Sequence, residues 1–359
     1  MAQWHPDLHF EGSPVLRNAV VPERNFQDIM TTYPLVSELD AFLELEANAD
    51  ANMASVRASE MPATNPPPPP PSQQEQLREP FRRLLPVYHH YVAPILEFEG
   101  AYFTHAMMNG LNIPCVPLDF ITGDVLSSYV KYFQPMSKEL LNDRILDSKT
   151  DDHVREYKER VGIHANSVHE NNYAQAMSIW ENGVAQFLSP GPSENHNHLP
   201  DLQPNLTRWR VVNNGYTQLH RREGNGTNWS AEGIFNYYTN DGAGPDETRP
   251  HVVAFVADQA PLKDGLPSTS AVQTAFWLAG TAAAQDFRHN HNVFPVTVVC
   301  CSGHKVRVLQ VVIDFLRRAI EIRLSQIIDL RDPPFGDWTA FLHFLCWFHP
   351  DPIGETAAF

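Results

Sequence analysis

The longest regular pattern of apolar residues in the chain extends from 305 to 330. Apolar side chains recur there about every 3.6 residues, with further apolar positions beside the stripe. The spacing predicts one long helix of about 39 Å, at about 1.5 Å per residue, which the prolines after Asp332 terminate. Such a helix is typical of the spine of a large domain or of a subunit interface. The stripe contains Val308, Leu309, Val312, Phe315, Leu316, Ala319, Ile320, Leu324, Ile327 and Ile328.

Other periodic segments predict further helices. Prolines divide the segment 80–110 into short helical pieces. Acidic and basic residues alternate over 137–161, which predicts an exposed helix or a pair of helices. Three more helices are predicted at 172–188, 271–287 and 338–348, and the last of these is aromatic on nearly every side.

Three segments need separate interpretation. In 118–133, Asp124 is a candidate N-cap of a helix. The apolar stripe of that helix would contain Leu126, Tyr129, Val130 and Phe133. The residues HVVAFVAD at 251–258 form a buried strand or a short helix. The residues FPVTVVCCS at 294–302 are β-branched and apolar, and they predict a strand.

The first 79 residues differ from the rest of the chain. Six prolines, Pro66–Pro71, predict an extended spacer of roughly 19 Å, because proline fixes φ and removes the amide donor. Before them, residues 34–47 predict an acidic amphipathic helix that docks either on a partner or on its own body. We therefore expect 1–79 to be an acidic arm that ends in a proline-rich linker.

These elements together predict a mainly α fold with a few short strands. Residues 80–189 and 248–359 would form two parts of one helical body. Between them, 190–247 is dense in Gly, Pro, Asn, Ser and Thr, and it predicts an irregular, loop-rich insertion that protrudes from the body.

Charge narrows the classes of partner. The net charge is −16, and residues 1–79 contribute −8 of it from four arginines and twelve acidic residues. No basic stripe is present, so tight binding of nucleic acid through many phosphates is not expected. Enclosure of nucleic acid without tight binding remains compatible with this charge. The acidic chain also disfavours anionic membranes, and it has no run of eighteen apolar residues that would span a bilayer.

The seventeen histidines raise the question of a metal site. The pairs His196/His198 and His289/His291 have the spacing that places two rings on one face of a strand. They lie in Asn-rich contexts and have no HExxH companion, so we expect solvated loop histidines and no metal. Whether either pair binds a metal is left open by the sequence.

Two segments resemble reactive sites, but a purely structural role explains each of them better. Cys301-Ser302-Gly303-His304-Lys305 could contain an activated thiolate with His304 as base, but a turn after an apolar strand explains it better. Arg249-Pro250-His251 before an apolar strand resembles the start of a PD-(D/E)xK nuclease strand, with a helix and a strand following in the right order. His251 occupies the acid position and no ExK follows, so such a domain would be degenerate. We therefore predict no catalytic residue and no cofactor.

All four cysteines (Cys115, Cys300, Cys301 and Cys346) lie in apolar stretches, which predicts buried thiols.

Residues 80–359 resemble the capsid proteins of partitiviruses, particularly the short capsids of plant cryptic viruses. The resemblance lies in composition, element order and length across four stretches: PFRRLLPVYHHYVAPILEFEGAYF, PLDFITGDVLSSYVKYF, RPHVVAFVADQAPLKDGL with the segment 294–330, and DWTAFLHFLCWFHPDP. It implies a mostly helical shell domain with an inserted protruding domain, which assembles through dimers into an icosahedral shell around double-stranded RNA. It also implies an arm near the shell interior and no catalytic residues.

The expected function is therefore a structural, non-enzymatic coat protein in the virion and the host cytoplasm. Its partners would be other copies of itself and, through weak and non-specific contacts, the enclosed RNA. One alternative is a degenerate PD-(D/E)xK-like nuclease domain or another intracellular hydrolase. The other is a non-catalytic scaffold whose proline-rich segment 60–75 is a ligand for SH3 domains or profilin.

Overall fold

The computed structural model describes residues 87–96, 98, 100–147, 151–185, 207–211, 220–221, 228–283, 290–331 and 339–357. All of them belong to one unit, Thr64–Phe359. The arm 1–79, its predicted helix 34–47 and the proline spacer lie outside the described residues. The same holds for the candidate ligand segment 60–75 and for the pair His196/His198.

In the described residues, a mixed β-sheet of nine strands forms the centre of this unit. Its strands are β1 Cys115–Leu118, β3 Trp209–Val211, β4 His220–Arg221, β5 Trp229–Tyr237, β6 Val252–Asp258, β7 Val293–Ser302, β8 Lys305–Asp314, β9 Ala319–Ser325 and β10 Ile328–Asp329. The order is β1-β9-β8-β7-β6-β5-β3, while β10 pairs with β8 and β4 pairs with β5. A separate two-stranded ladder joins β2 Phe133–Gln134 to β11 Asp351–Pro352.

Seven α-helices accompany the strands in the described residues: α1 Ala93–Leu96, α2 His105–Gly110, α3 Lys138–Asp147, α4 Asp151–Asn166, α5 Asn172–Ile179, α6 Thr269–Ala283 and α7 Thr339–Cys346. Two π-helical turns, Tyr88–Val92 and Trp180–Val184, adjoin α1 and α5. None of the helices in the described part of the chain is long and apolar enough to cross a membrane.

The predicted mainly α fold is wrong. Helices account for about 33% and strands for about 32% of the interpretable residues. The loop-rich character expected for the insertion needs the same correction, because Trp229–Tyr237 is a largely buried strand that pairs along β6. Trp229, Ile234, Phe235 and Tyr237 have the aromatic and β-branched side chains that favour a strand, which the surrounding Gly- and Asn-rich sequence did not indicate.

The predicted long helix 305–330 is also wrong, because it is a β-hairpin followed by a short strand. β8 and β9 pair in antiparallel fashion from Leu309–Leu324 to Asp314–Ala319. Arg318, at φ 53°, occupies the left-handed region within the turn between them. Both faces of β8 are buried, so apolar side chains lie on each face and do not alternate with polar ones. A continuous apolar run of this kind fits a helical stripe as well as a strand.

Helices cover both faces of the sheet. On one face, the Ala-rich helix α6 packs on β6, β7 and β8, as its small side chains permit a close approach. On the other face, α5, the turn Trp180–Val184 and α7 enclose an aromatic core, in which the rings of Trp180 and Phe255 stack at 4.7 Å. The strand predicted at 294–302, the helix pair at 137–161 and helices at 271–287 and 338–348 are confirmed, with shifted ends.

Candidate functional site: a surface loop and the groove beside it

The most distinctive surface of the described residues is the loop 119–132, between β1 and β2. It begins with a tight turn that Asp119 organises. One oxygen of Asp119, Oδ1, accepts hydrogen bonds from the backbone amides of Ile121 at 2.9 Å and Thr122 at 2.7 Å. Gly123 follows at φ 70°, where an added Cβ would lie 2.6 Å from Cδ of Pro135. This turn explains why the helix predicted from Asp124 does not form.

A lysine then closes the loop across its base. Nζ of Lys131 donates to the carbonyl of Thr122 at 2.7 Å, to Oδ1 of Asp124 at 2.6 Å and to Oε1 of Gln134 at 2.6 Å. The hydrogen bond from Lys131 lowers the pKa of the Asp124 carboxyl below its ordinary value. One ammonium group thereby uses all three of its donors to hold both arms of the loop together.

Buried aromatic residues fix the loop to the body of the protein. Phe120, Tyr132 and Phe133 are all buried in the core. The carbonyl of Phe120 accepts a hydrogen bond at 2.7 Å from the indole Nε1 of Trp347, just after α7. The loop therefore has few ways to rearrange, although it contains little regular secondary structure.

This rigid loop exposes large apolar side chains. Ile121, Leu126 and Val130 are 52%, 54% and 54% exposed. The predicted stripe of Leu126, Tyr129, Val130 and Phe133 is thus split, since Phe133 points into the core and Leu126 and Val130 point outwards. Apolar side chains held outwards on a fixed backbone are typical of a protein contact surface, because little conformational entropy is lost on binding.

A groove of about 800 Å³ separates this loop from the β8–β9 hairpin. Its walls include Tyr129, Val130, Tyr132, Val312, Arg318 and Arg323. The volume lies within the range of about 300–1,000 Å³ that small-molecule sites usually have.

Arg323 connects the groove, the loop and the sheet. It is only 1% exposed, and its Nη2 donates to the carbonyl of Val130 at 2.6 Å. Its Nε is hydrogen-bonded to the carboxylate of Glu321, and the guanidinium lies 5.4 Å from the centre of the Tyr132 ring. Burial raises the pKa of the Tyr132 hydroxyl. The sequence contained one signal for the linking role of Arg323, which is the presence of an arginine within a largely apolar stretch.

A second polar cluster lies at the carboxyl end of β6 and is closed to solvent. Oδ1 of Asp258 accepts from the amide of Ala260 at 2.8 Å, and Oδ2 accepts from the hydroxyl of Ser270 at the start of α6. Ser270 in turn contacts Ser268, which lies 3.4 Å from Sγ of Cys300. Burial raises the pKa of Asp258 to about 6 and that of Cys300 to about 12. The cluster positions the loop between β6 and α6 and shows no opening for a substrate.

The structure argues against an activated cysteine at 301. Cys301 is fully buried, burial raises its pKa well above the ordinary value, and its S–H points to the carbonyl of Gly303 at 3.5 Å. Gly303, at φ 63°, and His304 form the turn between β7 and β8. Nε2 of His304 lies 3.2 Å from Oδ2 of Asp329, and burial lowers the pKa of the His304 imidazole. The predicted turn is confirmed, although a strand rather than a helix follows it.

The histidine pairs supply no assembled metal site in the described region. His289 lies outside the described residues. His291 uses both ring nitrogens, with Nε2 at 2.7 Å from the carbonyl of Glu247 and Nδ1 at 2.9 Å from the hydroxyl of Thr356. Within the described part of the chain, no three His, Cys, Asp or Glu side chains are grouped closely enough to hold a metal ion.

His251, the residue at the nuclease-like acid position, is fully buried before β6. Its Nε2 lies 3.1 Å from the carbonyl of Ile353, and its ring meets the edge of Phe133 at 5.0 Å. The contacts are those of a packed core histidine.

No known protein family, characterised protein or solved structure matches this chain.

Proposed function

We propose that this protein is a structural protein that associates with copies of itself through the loop 119–132. The observation that carries the proposal is the exposure of Ile121, Leu126 and Val130 on a loop that Asp119 and Lys131 hold rigid. Full burial of an exposed aliphatic side chain contributes about 1.5–3 kcal/mol, so burying the exposed half of these three would contribute about 2–5 kcal/mol in total.

The neighbouring hairpin provides a complementary surface for a second copy. Its tip exposes Leu316 and Arg317, whereas the loop exposes Leu126 and the carboxylate of Asp124. In a two-fold dimer, the loop of each copy would contact the hairpin of the other copy, so the same contact would occur twice. Leu316 of one copy would then pack on Leu126 of its partner, and Arg317 would lie near Asp124.

In its more specific (finer) form, the proposal is that the protein is a coat protein that encloses double-stranded RNA. It is supported by the resemblance of 80–359 to partitivirus capsid proteins and by an acidic chain that would let enclosed RNA move. The mixed sheet replaces the helical shell domain that this resemblance implied. In this form the protein is non-enzymatic and resides in the virion and the host cytoplasm.

Light scattering after size-exclusion chromatography tests the association. We expect dimers and larger particles, and negative-stain electron microscopy should show closed shells if the finer form holds. The variant Leu126→Asp should weaken association at least about tenfold, or about 1.4 kcal/mol. Val168→Asp is the matched control, because Val168 is 99% exposed but lies outside the loop. A monomer at every concentration, or equal effects of both variants, would refute the proposal.

A second candidate, a degenerate nuclease-like domain, is favoured by one observation. β5 and β6 are antiparallel, and α6 connects β6 to its parallel neighbour β7. The elements β6, α6 and β7 thus have the order of strand, helix and strand that is expected for such a domain. Cleavage of RNA or DNA that depends on Mg²⁺ would support an active relative. Cleavage that survives His251→Ala would exclude His251 from that activity.

A further inference from the structure

Three buried polar side chains form a row across the sheet beside the groove. Thr297, Gln310 and Arg323 are direct neighbours on β7, β8 and β9, with Thr297 opposite Gln310 and Gln310 opposite Arg323. Each is at most 1% exposed. Adjacent strands lie about 4.8 Å apart, so the row spans about 10 Å from the groove inwards.

Each member of the row has a polar atom that remains unpaired. Among the described residues, no hydrogen-bond partner lies within reach of Oγ1 of Thr297, Nε2 of Gln310 or Nη1 of Arg323. All three atoms can donate, and two of them can only donate. Buried donors without acceptors are costly. Of the three residues only Arg323 lines the groove, so its Nη1 is the donor that an acceptor oxygen in the groove would satisfy.

The charges around the groove point to the same chemistry. Its two carboxylates already have partners, because Glu321 pairs with Arg323 and Asp314 accepts from the amide of Arg317 at 2.9 Å. Arg318 lies in the left-handed region at the edge of the groove. A non-glycine residue in that conformation is uncommon, and such residues concentrate at ligand sites.

The remaining walls can hold a flat apolar group. Tyr91, Tyr129 and Tyr132 line the groove together with Val130 and Val312. Aromatic rings and aliphatic side chains of this kind pack against planar ligands, while a small number of polar groups orient the ligand.

We propose that the groove between the loop 119–132 and the β8–β9 hairpin binds a small organic oxyanion, a carboxylate or phosphate group on an aromatic body. The oxyanion contacts Arg318 and takes a hydrogen bond from Nη1 of Arg323, and both residues line the groove. Exposed side chains change rotamer within nanoseconds, so a small rearrangement of the lining admits this contact. The inference does not depend on self-association.

Calorimetric titration of the full-length protein with four probes tests the proposal. Phenyl phosphate and benzoate carry the oxyanion and the ring, benzamide has the ring without the charge, and inorganic phosphate has the charge without the ring. We expect at least one of the first two to bind about tenfold or more tightly than both controls. Their relative affinity shows whether the site prefers phosphate or carboxylate.

Variants then localise the site. Arg318→Gly removes the edge cation and suits the positive φ, so the protein should fold and lose at least about threefold in affinity. Arg331→Ser, an exposed arginine that does not line the groove, should leave the affinity unchanged. The double variant Glu321→Gln with Arg323→Met removes the buried pair together and should abolish binding.

Several outcomes would overturn the proposal. Equal binding of benzamide, benzoate and phenyl phosphate would show that the charge is not recognised, and no binding of any probe at millimolar concentration would exclude the site. A wild-type affinity in Arg318→Gly would place the ligand elsewhere, even if the double variant fails to fold. The same titrations on Leu126→Asp separate this inference from the proposed association.

Discussion

The carboxyl group of Asp258 should make the stability of this protein fall as the pH rises. Asp258 is 2% exposed at the end of β6, and burial raises its pKa from 3.8 to about 6. A raised pKa means that the folded state binds the proton more tightly than the unfolded state. The contribution of this group is therefore most favourable below pH 4 and is lost as the pH rises towards and through 6.

The size of the effect follows from the shift in pKa. The difference between 3.8 and about 6 corresponds to about 3 kcal/mol, at about 1.36 kcal/mol for each unit. Asp258→Asn removes the titration, while its amide retains an oxygen for Ala260 and gains a donor towards Ser270. Part of this difference is already lost at pH 4, so the variant should become more stable relative to the wild type by about 2 kcal/mol between pH 4 and pH 7.

Urea unfolding, followed by tryptophan fluorescence at several pH values, measures this difference. Other titrating groups contribute equally to both proteins and cancel when the two free energies of unfolding are subtracted. Asp143→Asn removes an exposed carboxylate and controls for the change in net charge. If the stability difference between wild type and Asp258→Asn stayed constant from pH 4 to pH 7, the reasoning about Asp258 would be wrong.

Three further predictions concern the core, the buried arginine and the thiols. Gly233→Ala should destabilise the fold by about 1–3 kcal/mol in urea unfolding, because the new Cβ would lie 2.3 Å from Cη2 of Trp180; Gly244→Ala, which meets no neighbour, is its control. Arg323→Met alone should cost about 3–5 kcal/mol since it leaves Glu321 without its partner, and adding Glu321→Gln should recover part of that loss; no recovery would contradict the importance of the pair. Cys300 and Cys346, whose pKa values burial raises to about 12, should react with a thiol reagent at pH 8 only as fast as the protein unfolds, whereas fast labelling would contradict their burial.

The elements that could be predicted from the sequence are those whose local pattern fits one structure only. β7 is rich in β-branched residues, and α6 is rich in alanine and long enough to exclude a strand, so both were predicted correctly. The alternating charges of 137–161 likewise predicted one helix or two, and the structure has two, α3 and α4. In each case the preference of the residues agrees with the position of the element in the fold.

The hairpin at 305–325 shows where this agreement fails. Burial of both faces of β8 removes the alternation that identifies a strand, and the remaining apolar run fits a helix. The helix predicted within 119–132 is absent for another reason, because hydrogen bonds accepted by Asp119 and donated by Lys131 outweigh the weak helical pattern of the segment. Neither result could be read from the order of apolar residues alone.

The sequence by itself determined the acidic charge, the burial of three of the four thiols and the position of the strongest strand and helices, because these depend on composition or on neighbours within a few residues. The fourth thiol, Cys115, is only partly buried. Only the tertiary structure decided where the candidate surface lies. Arg323 donates to the carbonyl of Val130, 193 residues away, and Trp347 donates to that of Phe120, 227 residues away. Such contacts arise from strand register and core packing, and they convert an unremarkable segment into a rigid loop with an exposed apolar surface.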